Sequence, residues 1–481
     1  MTTHADSQYQ LISALFLRLL GIFYLIAFAS LAVQIEGLAG SQGIQPFAEK
    51  LAQLAATPGY EKYLRFPSLF WLNASDGALT GTAVAGCILA LLIILDVTPR
   101  LALIGAYALY LSLYGASLVF LNFQWDGLLL EAGFLAIFLT PQSKVAIFLF
   151  RWLLFRLRFM SGISKFSTHD PSWSGLTALN YYFEVQPLPS PLAWYAHHLP
   201  EWLLRLGTAA TLVIELLVPL MMFLPRRWRF LAAWLTILWQ VLIILTSNHN
   251  WFNFLTIALC LFLFDDQALQ RVLPQRVTTA LSSRPTASPG RHQRLAIGVL
   301  AVCIGVASVM HFKELITMQP ISSAYGRLLD YAEAYRVVNK YHVFGTMKTE
   351  RIELQIDGSQ DGLEWKPYFF KYRPDDPHKA PTWVIPHQPR LDWQMWFIPL
   401  GPMQLTWFEG FLQRLLDNSP SVTGLLKTNP FPDQSPRYLR VQAYRYRFTS
   451  AEQRATTGDW WTVEPLGPFT PLPWLERTQT E

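Results

Sequence analysis

The sequence predicts an α-helical polytopic membrane bundle of about nine spans, followed by a β-rich extracytoplasmic domain. Three observations predict it. Charged residues make up only 15% of the 481-residue chain, against about 25% in water-soluble globules. Hydrophobic residues reach 52% and are gathered into long runs, as a bilayer-embedded chain requires. From about residue 315 the runs stop, and strands of period two take over.

The apolar runs fall near 11–33, 79–95, 101–120, 126–140, 145–160, 208–224, 230–247, 252–264 and 295–311. The first is too long for a signal-peptide core. No small-residue cleavage site precedes Gln34-Ile35-Glu36, so it reads as a retained span. With the N-terminus cytoplasmic, Arg100, Lys144, Arg226, Arg227, Arg229, Arg271, Arg276, Arg284, Arg291 and Arg294 all face the cytoplasm. The opposite loops hold only Lys50, Lys62, Arg65, Lys165 and Arg205. That asymmetry predicts a cytoplasmic N-terminus and an external C-terminal domain. It also accounts for the net charge of +5 without a nucleic-acid partner.

Segment 145–160 carries Arg151, Arg156 and Arg158, which are costly at bilayer depth. A tilted spanning helix is the favoured reading, and a helix lying along the interface is the other. Residues 265–294 are rich in Ser, Thr, Pro and Arg and predict a flexible basic cytoplasmic linker. The domains are therefore 1–311, helical and transmembrane, and 312–481, soluble and β-rich. Within the second, strands are expected at 351–356, 365–372 and 438–448, with a helix near 403–417.

Cys87, Cys260 and Cys303 each lie in an apolar run, which argues against a disulfide framework. His197, His198 and His249 have no cysteine or carboxylate at ligand spacing, so no metal and no cofactor is expected.

Three groups of residues stand out. Asp126, Glu131 and Glu215 are carboxylates inside apolar runs, with Asp126 placed to cap a helix. Arg18, in the first span, is the natural counter-ion for one of them. Lys165, His169 and Asp170 sit just past a span. They read either as a proton-handling or client-binding site, or as an interfacial lysine paired with Asp170. The third group is Trp383, His387, Arg390, Asp392, Trp393 and Trp396, in a proline-rich stretch. Its aromatic area suits a client-binding surface, or a packed loop anchoring the domain. Asp392 can pair with Arg390 if the local turn allows it.

Long stretches resemble the lipase maturation factor family. The fullest is Arg158-Phe-Met-Ser-Gly-Ile-Ser-Lys-Phe-Ser-Thr-His-Asp-Pro-Ser-Trp173, continuing through residues 176–200. Others are Gln124-Trp-Asp-Gly-Leu-Leu-Leu-Glu-Ala-Gly133, Tyr372-Arg-Pro-Asp-Asp-Pro377, residues 380–396 and residues 438–448. The resemblance implies a multi-pass membrane protein that helps secreted lipases reach their folded, active dimeric form. In eukaryotic members the C-terminal domain is lumenal. A short, cysteine-poor chain implies instead a bacterial inner membrane with that domain in the periplasm. The partners expected are exported client proteins, lipases among them, and membrane lipids.

A fainter likeness, carried by Ser161-Gly-Ile-Ser-Lys-Phe166 with Asp170 and Trp173, is to the vitamin K-dependent carboxylase-like membrane domain. It implies Lys165 as catalytic base, hence an alternative as a membrane enzyme acting on a lipid-soluble substrate. No Gly-x-Ser-x-Gly elbow is present, which argues against a lipase.

Overall fold

The computed structural model describes residues 9–282, 290–319, 321 and 323–477. Nine main helices build the N-terminal body. They are α1 (Gln10–Ala32), α2 (Asp76–Ile94), α3 (Pro99–Ala116), α4 (Gln124–Ile137) and α5 (Lys144–Ser167). There follow α6 (Glu201–Leu216), α7 (Arg226–Thr246), α8 (Phe252–Leu259) and α9 (Arg291–Thr317). Local chemistry sets the starts. The hydroxyl of Ser75 accepts from Ala78 N, and that of Ser143 from Ala146 N, each satisfying an orphan first-turn donor.

Among the described residues, five stretches are long and apolar enough to cross a membrane: Gln10–Ala32, Asp76–Ile94, Glu201–Met221, Arg226–Thr246 and Arg291–Thr317. A sixth is reached if Phe252–Leu263 and Asp266–Val272, bent by 115°, count as one span. The expected count of nine is not met by this measure. The reason is visible in the packing. At 14 residues, α4 rises about 21 Å, short of the ~30 Å core.

The 24-residue α5 runs through the protein interior and not along an interface, with Phe150, Leu153, Leu154, Arg156 and Leu157 buried. Its arginines find protein partners. By contrast, α9 turns Val299, Val302, Val306 and Val309 outward, an apolar stripe suited to lipid.

The expected linker at 265–294 is largely helical where it is described. Helices Asp266–Val272 and Gln275–Ser282 pack beside α1. Asp266 accepts from Gln10 N at 2.7 Å and Ile12 N at 3.1 Å, supplying α1 with the anionic cap its own sequence lacks. Residues 283–289, including Arg284, lie outside the described residues.

The C-terminal domain holds one antiparallel sheet of β1 (Arg351–Ser359), β2 (Lys366–Pro367), β3 (Tyr438–Phe448), β4 (Trp461–Pro468) and β5 (Trp474–Glu476). The order is β2-β1-β3-β4, with β5 also on β3. The strand expected at 365–372 shrinks to two residues, because Pro367 has no N–H to extend the ladder.

Alternation gives β1 two unlike faces. Leu354 and Ile356 join Leu439, Val441 and the apolar side of helix Leu405–Leu416 in one core. Arg351, Glu353, Asp357 and Ser359 share the other face, yet all four are buried. Arg351 donates to the carbonyls of Glu184, Gln186 and Pro187 in the helical body. The domain is thus docked onto the bundle.

Candidate functional site

Buried charges are concentrated where the bundle meets the C-terminal domain. Asp126 lies in the first turn of α4 and is fully buried. It does not cap that helix. It accepts from Tyr110 Oη at 2.6 Å, and from Arg390 Nη1 at 2.7 Å and Nη2 at 2.8 Å. The bidentate geometry is the strong form of a guanidinium–carboxylate contact.

Glu131 sits about one turn deeper and takes a second arginine, Arg156 of α5. It also accepts from Tyr341 Oη at 2.8 Å and from Asn339 N and Nδ2 at 3.0 Å each. Glu215 pairs with Arg158 at 3.2 Å and Lys165 at 2.6 Å. Arg18 therefore serves none of the three carboxylates. Its partner is Asp96, 3.5 Å away, near the far end of the bundle. Two of the arginines that looked costly in α5, Arg156 and Arg158, thus answer two of the carboxylates, Glu131 and Glu215.

The grouping of Lys165 with His169 and Asp170 is not assembled. Asp170 caps helix Pro171–Ser174, accepting from Ser172 N at 2.8 Å, and also accepts from Met347 N at 2.9 Å. His169 is exposed, in a left-handed turn. The Lys165 ammonium points at Glu215, at Val343 O at 2.8 Å and at Ser161 O and Oγ at 3.2 Å each, and lies 4.8 Å from the Trp173 ring. Every direction available to its donors is taken, unlike the free lone pair a base needs.

The stretch 383–396 is mostly an anchor. Trp393 is 4% exposed and packs edge-on against Trp125, centroids 5.0 Å apart. Trp396, half-buried, donates from Nε1 to Val185 O at 2.7 Å. Asp392 does not pair with Arg390. It accepts from Tyr372 N at 2.7 Å and Arg373 N at 3.1 Å, while burial pushes its carboxyl above the usual range.

His387 contacts Ser30 Oγ at 2.9 Å. Burial, then the nearby Arg390 and Lys371, push it down to about 4, so the ring is neutral at pH 7. His249, hydrogen-bonded to Tyr182 Oη at 3.0 Å, is also pushed down to about 4 by burial. Only Trp383 of the group is well exposed, at 48%. The expected open aromatic surface is therefore largely closed, because these rings seal the joint.

Beside the joint lies an apolar groove of about 490 Å³, walled by Trp125, Trp393, Trp396, Phe397, Phe344 and His249. Leu315 and Met318, at the end of α9, also line it. Its size falls in the ordinary range for small-molecule or peptide-segment sites, about 300–1,000 Å³.

Several contributors carry no sequence signal that singles them out. Tyr110, Asn339 and Tyr341 are ordinary residues until folded against Asp126 and Glu131. Arg351 and Arg373 both engage Glu353, the first at 2.5 Å. A charged side chain on alternate positions of β1 was the one available hint.

A family model described as the lipase maturation factor transmembrane domain matches residues 11–271, and one for the C-terminal domain matches 337–471. Among curated relatives, chicken lipase maturation factor 2 is 34% identical, covering 95% of this chain and 80% of its own. Human lipase maturation factor 2 is 32% identical over 95% and 82%. Mouse lipase maturation factor 1 is 31% identical over 95% and 86%. No solved structure matches. The matches cover both the bundle and the docked sheet domain, including the stretches that carry the buried pair Asp126–Arg390. This membrane protein with apolar helices therefore belongs to the lipase maturation factor family.

Proposed function

We propose that this protein assists the maturation of exported proteins, lipases among them, by holding incompletely folded client at the seam between bundle and sheet domain. The observation that carries the reading is the similarity to lipase maturation factors over 95% of the chain. The apolar groove of about 490 Å³ offers a place for a client's unburied apolar side chains. No covalent step is required. The alternative of a lysine-dependent enzyme gains no support from Lys165, whose ammonium is fully engaged. The proposed site set is the groove wall with Trp383, Trp393 and Trp396, together with the Lys165 cluster.

We also infer nine crossings, five lipid-facing and four inside the protein. Contacts at one end of the bundle support this: Arg226 with Asp265 at 2.7 Å, Gln293 with Thr140 at 3.0 Å, and Arg151 with Phe262 O at 2.8 Å. Four contacts at the other end reach the polar region: Gln34 with Gln388, Asp126 with Arg390, Lys165 with Val343, and Asn248 with Thr382. Successive helices thus alternate in direction.

The first end gathers Lys144, Arg226, Arg227, Arg229, Arg271 and Arg276, which favours a cytoplasmic N-terminus and an external C-terminal domain. Scarce cysteine favours a bacterial inner membrane and a periplasmic domain, although the relatives named above are vertebrate.

The test is crosslinking in intact cells, followed by identification of what copurifies. Recovery of exported hydrolases supports the reading. Recovery of no exported protein from cells that secrete lipase contradicts it.

A further inference from the structure

A second, smaller cavity of about 80 Å³ lies between α5, α6 and α7, with Arg158, Lys165, Glu215 and Gln240 in its wall. One water needs only about 10–15 Å³ of such space, so the cavity has room for a carboxylate or phosphate group. The charged groups in its wall are two cations and one anion: Arg158 and Lys165 against Glu215. All three are buried, at 5%, 4% and 5% exposure.

A net positive charge held inside a bundle is unfavourable unless an anion joins it. Among the described residues no other charged group lines the cavity. Asp170, five residues beyond Lys165, is turned toward Ser172 N and Met347 N. His249, also in the wall, is neutral at pH 7.

Two further donors in the wall are unused. Arg158 Nε and Gln240 Nε2 are buried and have no hydrogen-bond partner among the described residues. Gln240 is turned by its other end, since its Oε1 accepts from Asn253 Nδ2 at 2.7 Å. Buried donors are normally satisfied, and orphans ask for an explanation.

The cavity is bounded by Thr211 of α6 and by Trp239 and Ile243 of α7, both candidate spans. A ligand would therefore approach from the bilayer with its apolar part among these side chains.

We propose that this cavity binds the anionic head, carboxylate or phosphate, of a single-chain membrane amphiphile such as a fatty acid or a lysophospholipid. Arg158 Nε and Gln240 Nε2 donate to the head, and the positive charge of Lys165, whose donors stay on their protein partners, adds to the attraction. The site is separate from the client groove, although Phe344, His249, Val343 and Phe252 form a wall common to both. An occupied head site would brace that wall from behind.

The test uses the full chain in uncharged detergent, with quenching of tryptophan fluorescence by spin-labelled oleate. Trp173 and Trp239 line the cavity and report on it. The account expects oleate to bind at least tenfold more tightly than its neutral methyl ester, which needs no variant. Spin-labelled lysophosphatidate should bind comparably if phosphate heads are admitted. Preference for one of the two acids identifies the natural head.

Arg158→Gln leaves a neutral Lys165–Glu215 pair and should lose the preference for acid over ester. Glu215→Gln, which leaves two cations, should tighten oleate binding several-fold. Equal binding of acid and ester overturns the proposal, as does unchanged or weaker binding in Glu215→Gln. Displacement of oleate by equimolar inorganic phosphate overturns the lipid assignment and leaves a free-anion site.

Discussion

Asp126 and Arg390 are 264 residues apart in sequence and meet in a bidentate pair, at 2.7 and 2.8 Å, with essentially no exposure on either side. One belongs to the helical body and the other to the C-terminal domain. The pair therefore joins the two family-matched regions, and four predictions concern that joint.

Removing one partner leaves an uncompensated buried charge. Arg390→Met or Asp126→Asn should each destabilise by about 3–5 kcal/mol. The double variant should cost less than the sum of the two. Thermal unfolding of the purified chain in detergent measures both, and strict additivity would show that the pair is not coupled.

Gly37, in the short helix Ile35–Ala39, lies so close to the Ser421 carbonyl that a Cβ would collide with it. The obstacle is backbone and cannot swing aside. Gly37→Ala should push the domain off this end of the bundle while leaving both parts folded. Limited proteolysis should then cut between the parts faster than in the unaltered chain. An unchanged cleavage rate would mean that the contact is dispensable.

Trp393 and Trp383 should behave oppositely. Trp393→Ala opens a cavity in the sealed joint and should cost about 3–5 kcal/mol. Trp383, half-exposed, should tolerate Trp383→Ser with little change in stability. If the substitution at Trp383 lowers client recovery at constant stability, the exposed ring belongs to the client surface. Loss at Trp393 alone would report only damage to the joint.

Acid should loosen the joint. His249 and His387 are pushed down from 6.5 to about 4 in the folded chain, so between those values the unfolded chain binds more protons. Stability then rises with pH. The contribution of the neutral rings is fully present above pH 6.5 and is lost as pH falls from 6.5 toward 4. The unfolding temperature, followed over that window, should fall less steeply in His249→Gln. Parallel curves would remove His249 from the account.

The helical bundle, the strands at 351–356 and 438–448, and the helix near 403–417 were legible because each is a local pattern. The partners of Asp126, Glu131 and Glu215 were not. The sequence shows that a carboxylate inside an apolar run needs a cation. It does not show which of several arginines will be brought near by packing, and Arg18 was the wrong choice.

Similarly, 386–396 advertised its aromatic area but not its burial, since a tryptophan that seals a joint and one that greets a client are written alike. Helices α4 and α5 mislead in the other direction. Their apolarity serves a protein-lined interior, where short length and internal charge are tolerated.

The most direct test of the account is the specific activity of a secreted lipase, measured as activity per mass of enzyme exported, in cells with and without this protein. The account predicts that deletion lowers activity per mass, that the intact chain restores it, and that Arg390→Met restores it poorly. Unchanged specific activity on deletion, with the lipase still exported and folded, would contradict the proposed role.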